Sequence, residues 1–238
     1  MNTLLHNELE KETTIYDINS EEEYLRCKDK VDINHVRNSL GYNCLFSADS
    51  EKAKWLIKQG IDLQHKDASG INALFGSGLE KTKLLVESGI DIYCVDKEGK
   101  NALFYINRDI IELLEREYMD LDLIMVSTDP DDKDCAEKVI KSNLGILRYL
   151  LAAGLDKTIA EINKDSFLRM KLIEMVATPH ELNLLIEYGF LIPEEYDIEK
   201  QKRFVINEVV ITHRLQKERE ALQVIIESSE RETGKNRL

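Results

Sequence analysis

The sequence predicts an all-α protein, a solenoid of short helical pairs closed by a helical C-terminal cap. Three observations carry that expectation. Two separate blocks of residues recur with one period, apolar residues inside each period fall at helical spacing, and residues that start or stop helices stand between them.

The first block is Gly41, Tyr42, Asn43, Cys44, Leu45, Phe46. It superposes without a gap on Gly70, Ile71, Asn72, Ala73, Leu74, Phe75 and on Gly99, Lys100, Asn101, Ala102, Leu103, Phe104, so the block starts at positions 41, 70 and 99, a 29-residue period. The second block starts at positions 60, 89 and 118, in step with the first: Gly60, Ile61, Asp62, Leu63, then Gly89, Ile90, Asp91, Ile92, then the weaker Tyr118, Met119, Asp120, Leu121. Asn43, Asn72 and Asn101 suit the N-cap of a short first helix, whose apolar face begins at Leu-Phe. Asp49, Gly78 and Asn107 share one phase and suit the cap of a second helix, with Trp55 and Leu56, Leu84 and Leu85, and Leu113 and Leu114 inward. Gly60 and Gly89 stand where a left-handed residue ends that helix, and the turns holding Asp67 to Gly70 and Asp96 to Gly99 lead to the next period.

The flanks keep the rhythm loosely. Val31, Asp32, Ile33, Asn34, His35 echoes Ile61 to His65, so residues 1–40 read as an N-terminal capping repeat and 41–128 as the regular repeats. Residues 129–192 read as degenerate helical repeats, because Leu147 to Asp156 and Leu182 to Gly189 each repeat the second-helix ending. Asp129, Pro130, Asp131, Asp132 is expected to be a loop at the seam. Thr178, Pro179, His180, Glu181 predicts a helix start closed by a capping box. Residues 193–238 are the expected C-terminal cap, one or two helices with Phe204, Val205, Val209, Val210, Leu222, Ile225 and Ile226 on apolar faces and a frayed end from Ser228.

Helix, turn, helix, glycine, extended turn is a layout that resembles the ankyrin repeat: G-x-N-A-L-F is similar to that family's G-x-T-P-L-H, and Leu84 to Ile92 to its L-L-L-x-x-G-A-D-V. Ankyrin repeats run about 33 residues. The shorter period here predicts an inner helix of one to two turns. The wording also resembles ankyrin proteins encoded beside bacterial polymorphic toxins, which implies a cytoplasmic immunity protein that binds a toxin's effector domain and occludes its active site.

Composition narrows the functional classes. The 238 residues are 43% hydrophobic and 32% charged, enough apolar material for a core. No apolar run approaches the ~20 residues that span a bilayer, and Glu8, Glu10 and Glu12 stand where a secretory signal would be basic, so a cytoplasmic protein with no membrane role is expected. With 32 Lys and Arg against 45 Asp and Glu, the net charge of −13 argues against nucleic acid and favours a basic protein partner, such as a toxin domain.

Chemistry-bearing motifs are absent. Gly76, Ser77, Gly78 lacks the remaining glycines and the Lys-Ser/Thr of a phosphate loop, and the period explains it as a turn. Neither His6, His35, His65, His180, His213 nor Cys27, Cys44, Cys94, Cys135 has ligand spacing, so no metal and no cofactor is expected. Cys44 shares its phase with Ala73 and Ala102, and Trp55 with Leu84, so both read as packing residues. No catalytic residue is assigned and the chain is not expected to be an enzyme.

What remains is the surface that repeat arrays present, the turn tips and the inner-helix side. Candidate protein-binding residues are Tyr42 and Ile71, which differ at one phase, Gln64 and Tyr93 at another, and Lys66, Asp67, Asp96, Lys97 and Glu98 at the tips. Two other readings stay open: an adaptor or secreted effector that captures a host protein, and an enzyme whose catalytic part lies in residues 129–238.

Overall fold

The computed structural model describes residues 13–36, 40–108, 130–198 and 204–235, and among these the regular structure is helical with no strand. The chain divides into two compact units, Met1–Ile106 and Asn107–Leu238.

The first unit opens with α1 (Glu21–Cys27), whose N-cap Ser20 accepts a hydrogen bond from Glu23 N at 3.2 Å and whose first turn is acidic, matching the helix dipole. Then come α2 (Cys44–Ser47), α3 (Ser50–Lys58), α4 (Leu79–Glu87) and a 3-10 turn at Ala102–Tyr105. The inner elements sit at the short end of the one to two turns expected from the clipped period: one turn in α2, an irregular turn at 73–76, and the 3-10 turn. Ala48 is already extended (ψ 140°) and Asp49 caps the next helix at Lys52 N, 2.7 Å away, so there is no room for a second inner turn.

The recurring Asn acts twice in the first two periods. Asn43 Oδ1 accepts from Leu45 N (3.2 Å) while its Nδ2 donates to Asp62 O (3.0 Å), and Asn72 does the same with Leu74 N (3.1 Å) and Asp91 O (2.9 Å). Asn101 accepts from Leu103 N at 3.0 Å. Asn43 and Asn72 thus start the inner turn and hold the extended segment that follows the outer helix, and all three asparagines are buried.

The outer helices stop at Gly60 (φ 89°) and Gly89 (φ 88°), after which Ile61 N bonds Leu56 O and Ile90 N bonds Leu85 O, a pattern that a left-handed residue allows. Val31, Ile61 and Ile90 are buried at corresponding positions, 30 and 29 residues apart, and Asp32, Asp62 and Asp91 each accept from the backbone N–H two residues on. The core holds Ile15, Ile18, Leu45, Leu56 and Leu85; Trp55 is 8% exposed and stacked on Tyr24 (5.7 Å, 28°), as its phase predicts. Leu113, Leu114, the Tyr118 to Leu121 block and any helix capped by Asn107 lie outside the described residues.

The second unit contains α5 (Pro130–Ala152), a 3-10 turn (Leu155–Thr158), α6 (Ile159–Ile162), α7 (Ser166–Met175), α8 (Pro179–Glu187) and α9 (Phe204–Lys235). The loop expected at Asp129 to Asp132 is corrected from Pro130 on, because Pro130–Ala152 is one helix. Asp129 lies outside the described residues. The Thr178–Glu181 capping box forms as expected. Glu181 is 1% exposed; its Oε2 accepts from Ala177 N (2.8 Å), Thr178 N (3.0 Å) and Asn107 Nδ2 (3.0 Å), and Asn143 Nδ2 donates to Asn107 Oδ1 (2.9 Å). Gly189 (φ 89°) ends α8 as Gly60 ends α3, with Phe190 N bonded to Leu185 O.

The C-terminal segment is one helix that runs to Lys235 rather than fraying at Ser228. Ile206 and Val210 are buried, and Arg214 Nη2 donates to Pro193 O (3.2 Å) and Tyr196 O (3.1 Å). Beyond Arg214 the expected cap ceases to be one: Leu222 and Ile226 are 60% and 51% exposed, because α9 has run past the helices it covers. Among the described residues no helix is long and apolar enough to cross a membrane.

Candidate functional site

The first unit offers a ladder of turns joined through backbone and side chain at the repeat spacing. Ala68 N donates to Leu40 O, and one period later Lys97 N donates to Ser69 O. His65 Nε2–H donates to Gly41 O (2.6 Å), and at the same phase Cys94 Sγ reaches Gly70 O (3.2 Å). His65 therefore acts as the turn hydrogen-bonder its position predicts.

The predicted tip residues divide in two. Asp67 is buried: its Oδ1 accepts from Ser69 N (2.8 Å) and Ile71 N (2.9 Å) and so shapes the turn. Asp96 repeats this with Glu98 N and Lys100 N, and its Oδ2 accepts from Tyr105 OH at 2.6 Å. Ile71 was expected at the surface and is 8% exposed, a correction with a clear cause: its N–H and C=O both bond Asp67, which folds the side chain beneath the turn. Tyr42 is half-buried and stacked on Phe46 (4.9 Å, 20°), with its carbonyl held by Tyr16 OH. Variation at one repeat phase therefore does not mark exposure at Tyr42 and Ile71, where the side chain faces under the turn.

Gln64 is exposed yet occupied, since Nε2 donates to Gly89 O (2.8 Å) and Oε1 accepts from Asp91 N (3.0 Å). It joins one repeat to the next. Tyr93 is 47% exposed, and Lys66, Lys97 and Glu98 are exposed beside it, Lys66 lying 3.7 Å from Asp91 and Lys100 paired with Glu98. Val95, also 47% exposed, was missed from the sequence although it lies between the two phases that were compared. Phe46, Phe75 and Tyr105 were missed too: the Phe46 ring meets the His65 edge (6.1 Å), and Phe75 meets Tyr105 (5.0 Å, 63°). The surface that results is a tip of Lys66, Tyr93, Val95, Lys97 and Glu98 beside a half-buried aromatic row.

Two lysines at one phase also went unread. Lys52 Nζ donates to Ile18 O (2.6 Å) and lies within 3.4 Å of Ile15 O and Tyr16 O; one period later, Lys81 Nζ donates to Phe46 O (3.0 Å). Each ammonium closes carbonyls at the end of the segment packed before it, where a cation is favoured. Lys81 is 8% exposed, and burial pushes its amine down to about 8, against the smaller opposing pull of Cys44 and Asp49.

Chemistry elsewhere is sparse. Among the described residues no group of three or more His, Cys, Asp or Glu side chains could hold a metal ion. Burial raises the Cys94 thiol, although Lys66 opposes it, which is the reverse of what activates a nucleophile.

The second unit reuses the same link between repeats. Asn163 Nδ2 donates to Gly189 O (2.8 Å) and its Oδ1 accepts from Leu191 N (2.9 Å), as Gln64 does with Gly89 and Asp91 and as Asn34 Oδ1 does with Asp62 N (2.7 Å). No family model matches this chain, and no curated protein matches it either.

Proposed function

We propose that the chain is a protein-binding array of clipped ankyrin-type repeats, and that it serves as an immunity protein that neutralises a bacterial toxin by stoichiometric binding. The observation that carries the binding reading is the recurrence, at the repeat spacing, of backbone and side-chain links between turns. These links hold Asp67, Ile71, Asp96 and Gln64 in the ladder, and the side chains of Tyr93, Val95, Lys66, Lys97 and Glu98 stand exposed to water at the tip. A tyrosine and a valine set among charged side chains form a small anchor with a polar rim, the composition from which interfaces draw their affinity. The immunity reading is supported by the G-x-N-A-L-F wording and by the net charge of −13, which suits a basic effector domain.

Affinity capture of the full chain from its native cells tests this. One partner is expected to co-purify at equal stoichiometry, with Tyr93→Ala plus Val95→Ala weakening the complex tenfold or more, about 1.4 kcal/mol or above. Retention of full affinity by the double variant would remove the tip from the interface, and a captured partner with no toxic activity would remove the immunity role.

A further inference from the structure

The root of α9 is seated by a short row of side chains at helical spacing. Ile206, Asn207 and Val210 are buried, and α9 packs there on α8. Asn207 accepts from Tyr196 OH (3.1 Å) and donates to Ile198 O (3.1 Å), and Arg214 donates to Pro193 O and Tyr196 O. His213 comes three residues after Val210, on the same side of the helix, and the next residue but one, Leu215, is already 60% exposed. His213 is thus the last but one residue of the seat. Its Nε2 is closed off from solvent and has no hydrogen-bond partner among the described residues.

We propose that His213 is a proton-sensitive catch for the root of α9: while the ring is neutral the helix stays seated on α8 and on the 193–196 segment, and a proton taken up by the ring unseats it. A neutral imidazole donates from one nitrogen only, so Nε2 can remain bare at no great cost. The protonated ring donates from both, which would bring a charged N–H to a closed spot with no acceptor. Burial accordingly holds the imidazole below its ordinary 6.5; Lys217 adds to this and Glu220 opposes it, both exposed on α9 itself. The elements packed against the root bring His180, Glu181 and Glu187 on α8 and Glu194, Glu195 and Asp197 before α9, and none of these acts on the ring. Glu181 is held instead by Ala177 N and Thr178 N. Because the seated ring binds its proton more weakly than the free one, the seating is at full strength above pH 6.5 and weakens as the pH falls from there through the seated value.

An NMR titration of His213 in the full chain, with hydrogen exchange followed from pH 5 to 7.5 and corrected for intrinsic rates, tests this. The expected results are a His213 midpoint below 6.5 and a loss of protection of about threefold or more across residues 204–214 toward pH 5, while α3 keeps its protection. His213→Phe, which has no proton to take up, is expected to stay protected at pH 7.5 and to show no such loss; His213→Met serves the same purpose should the larger ring fit poorly. A midpoint at or above 6.5, an equal loss in α3, an undiminished pH dependence in the variants, or loss of protection at pH 7.5 in both of them would each overturn the proposal.

Discussion

Asn72 shows how much one side chain does here. It is fully buried, caps the inner turn at Leu74 N and holds Asp91 O, so removing it orphans a buried donor and a part-buried acceptor at once. Asn72→Ala is expected to cost about 2–3 kcal/mol by denaturant titration, and Asn72→Ser, which keeps only the cap, about half of that. Lys81 makes a second prediction, one with a sign. Its amine titrates near 8 when folded against 10.5 unfolded, so from pH 8 to 10.5 the unfolded chain holds the extra proton and stability from this residue rises with pH. Lys81→Met is expected to flatten that rise, by up to about 3 kcal/mol, in unfolding curves taken from pH 7 to 10. A wild-type and variant difference that does not change over this range would show that Lys81 does not titrate there. The asparagines were legible in the sequence because capping is local chemistry. Lys52 and Lys81 recur at the repeat spacing too, yet a lysine in a helix reads as a solvated face, and only packing against the preceding segment reveals the carbonyls it reaches.

Among the elements, α3 and α4 differ in one respect at their starts. Asp49 caps α3 through its side chain, whereas Gly78 at the same phase caps α4 with none, and a Cβ added there meets nothing within 4 Å. Gly78→Asp is therefore expected to stabilise the protein by a few tenths to about 1 kcal/mol in thermal unfolding. Gly89→Ala also has open space, but its φ of 88° penalises any L side chain, and a loss of about 1 kcal/mol is expected. The outcome separates two glycines that a sequence alone treats alike. The helix starts and stops of the repeats were readable, from Asp49 to the Thr178–Glu181 box, because each depends on residues within one turn. The clipped inner helices were legible from the period, while the choice of a single turn depends on where Asp49 takes over the chain, and the N-terminal extent of α5 was misread because Asp and Pro suit a loop and a first helical turn equally.

At the scale of the molecule, charge is unevenly placed. Between Asp109 and Asp134 the sequence holds ten acidic residues and two basic ones, so this stretch carries most of the net −13. If the partner is basic, its association rate in stopped-flow mixing is expected to fall at least tenfold between low and physiological salt, with the dissociation rate changing little. A rate flat in salt would end the steering argument. The sequence by itself determined the helical class, the repeat period, the caps and the stops, all of which rest on contacts within a turn or on self-comparison. Tertiary structure decided which of the variable tip residues bond within the ladder, as Asp67, Ile71 and Gln64 do, and which present an apolar or aromatic side chain to water, as Val95 and Tyr93 do. The reason is physical: whether a side chain faces water is set by how each turn folds back on itself and packs on the next repeat, and no local pattern records where that neighbour comes to lie.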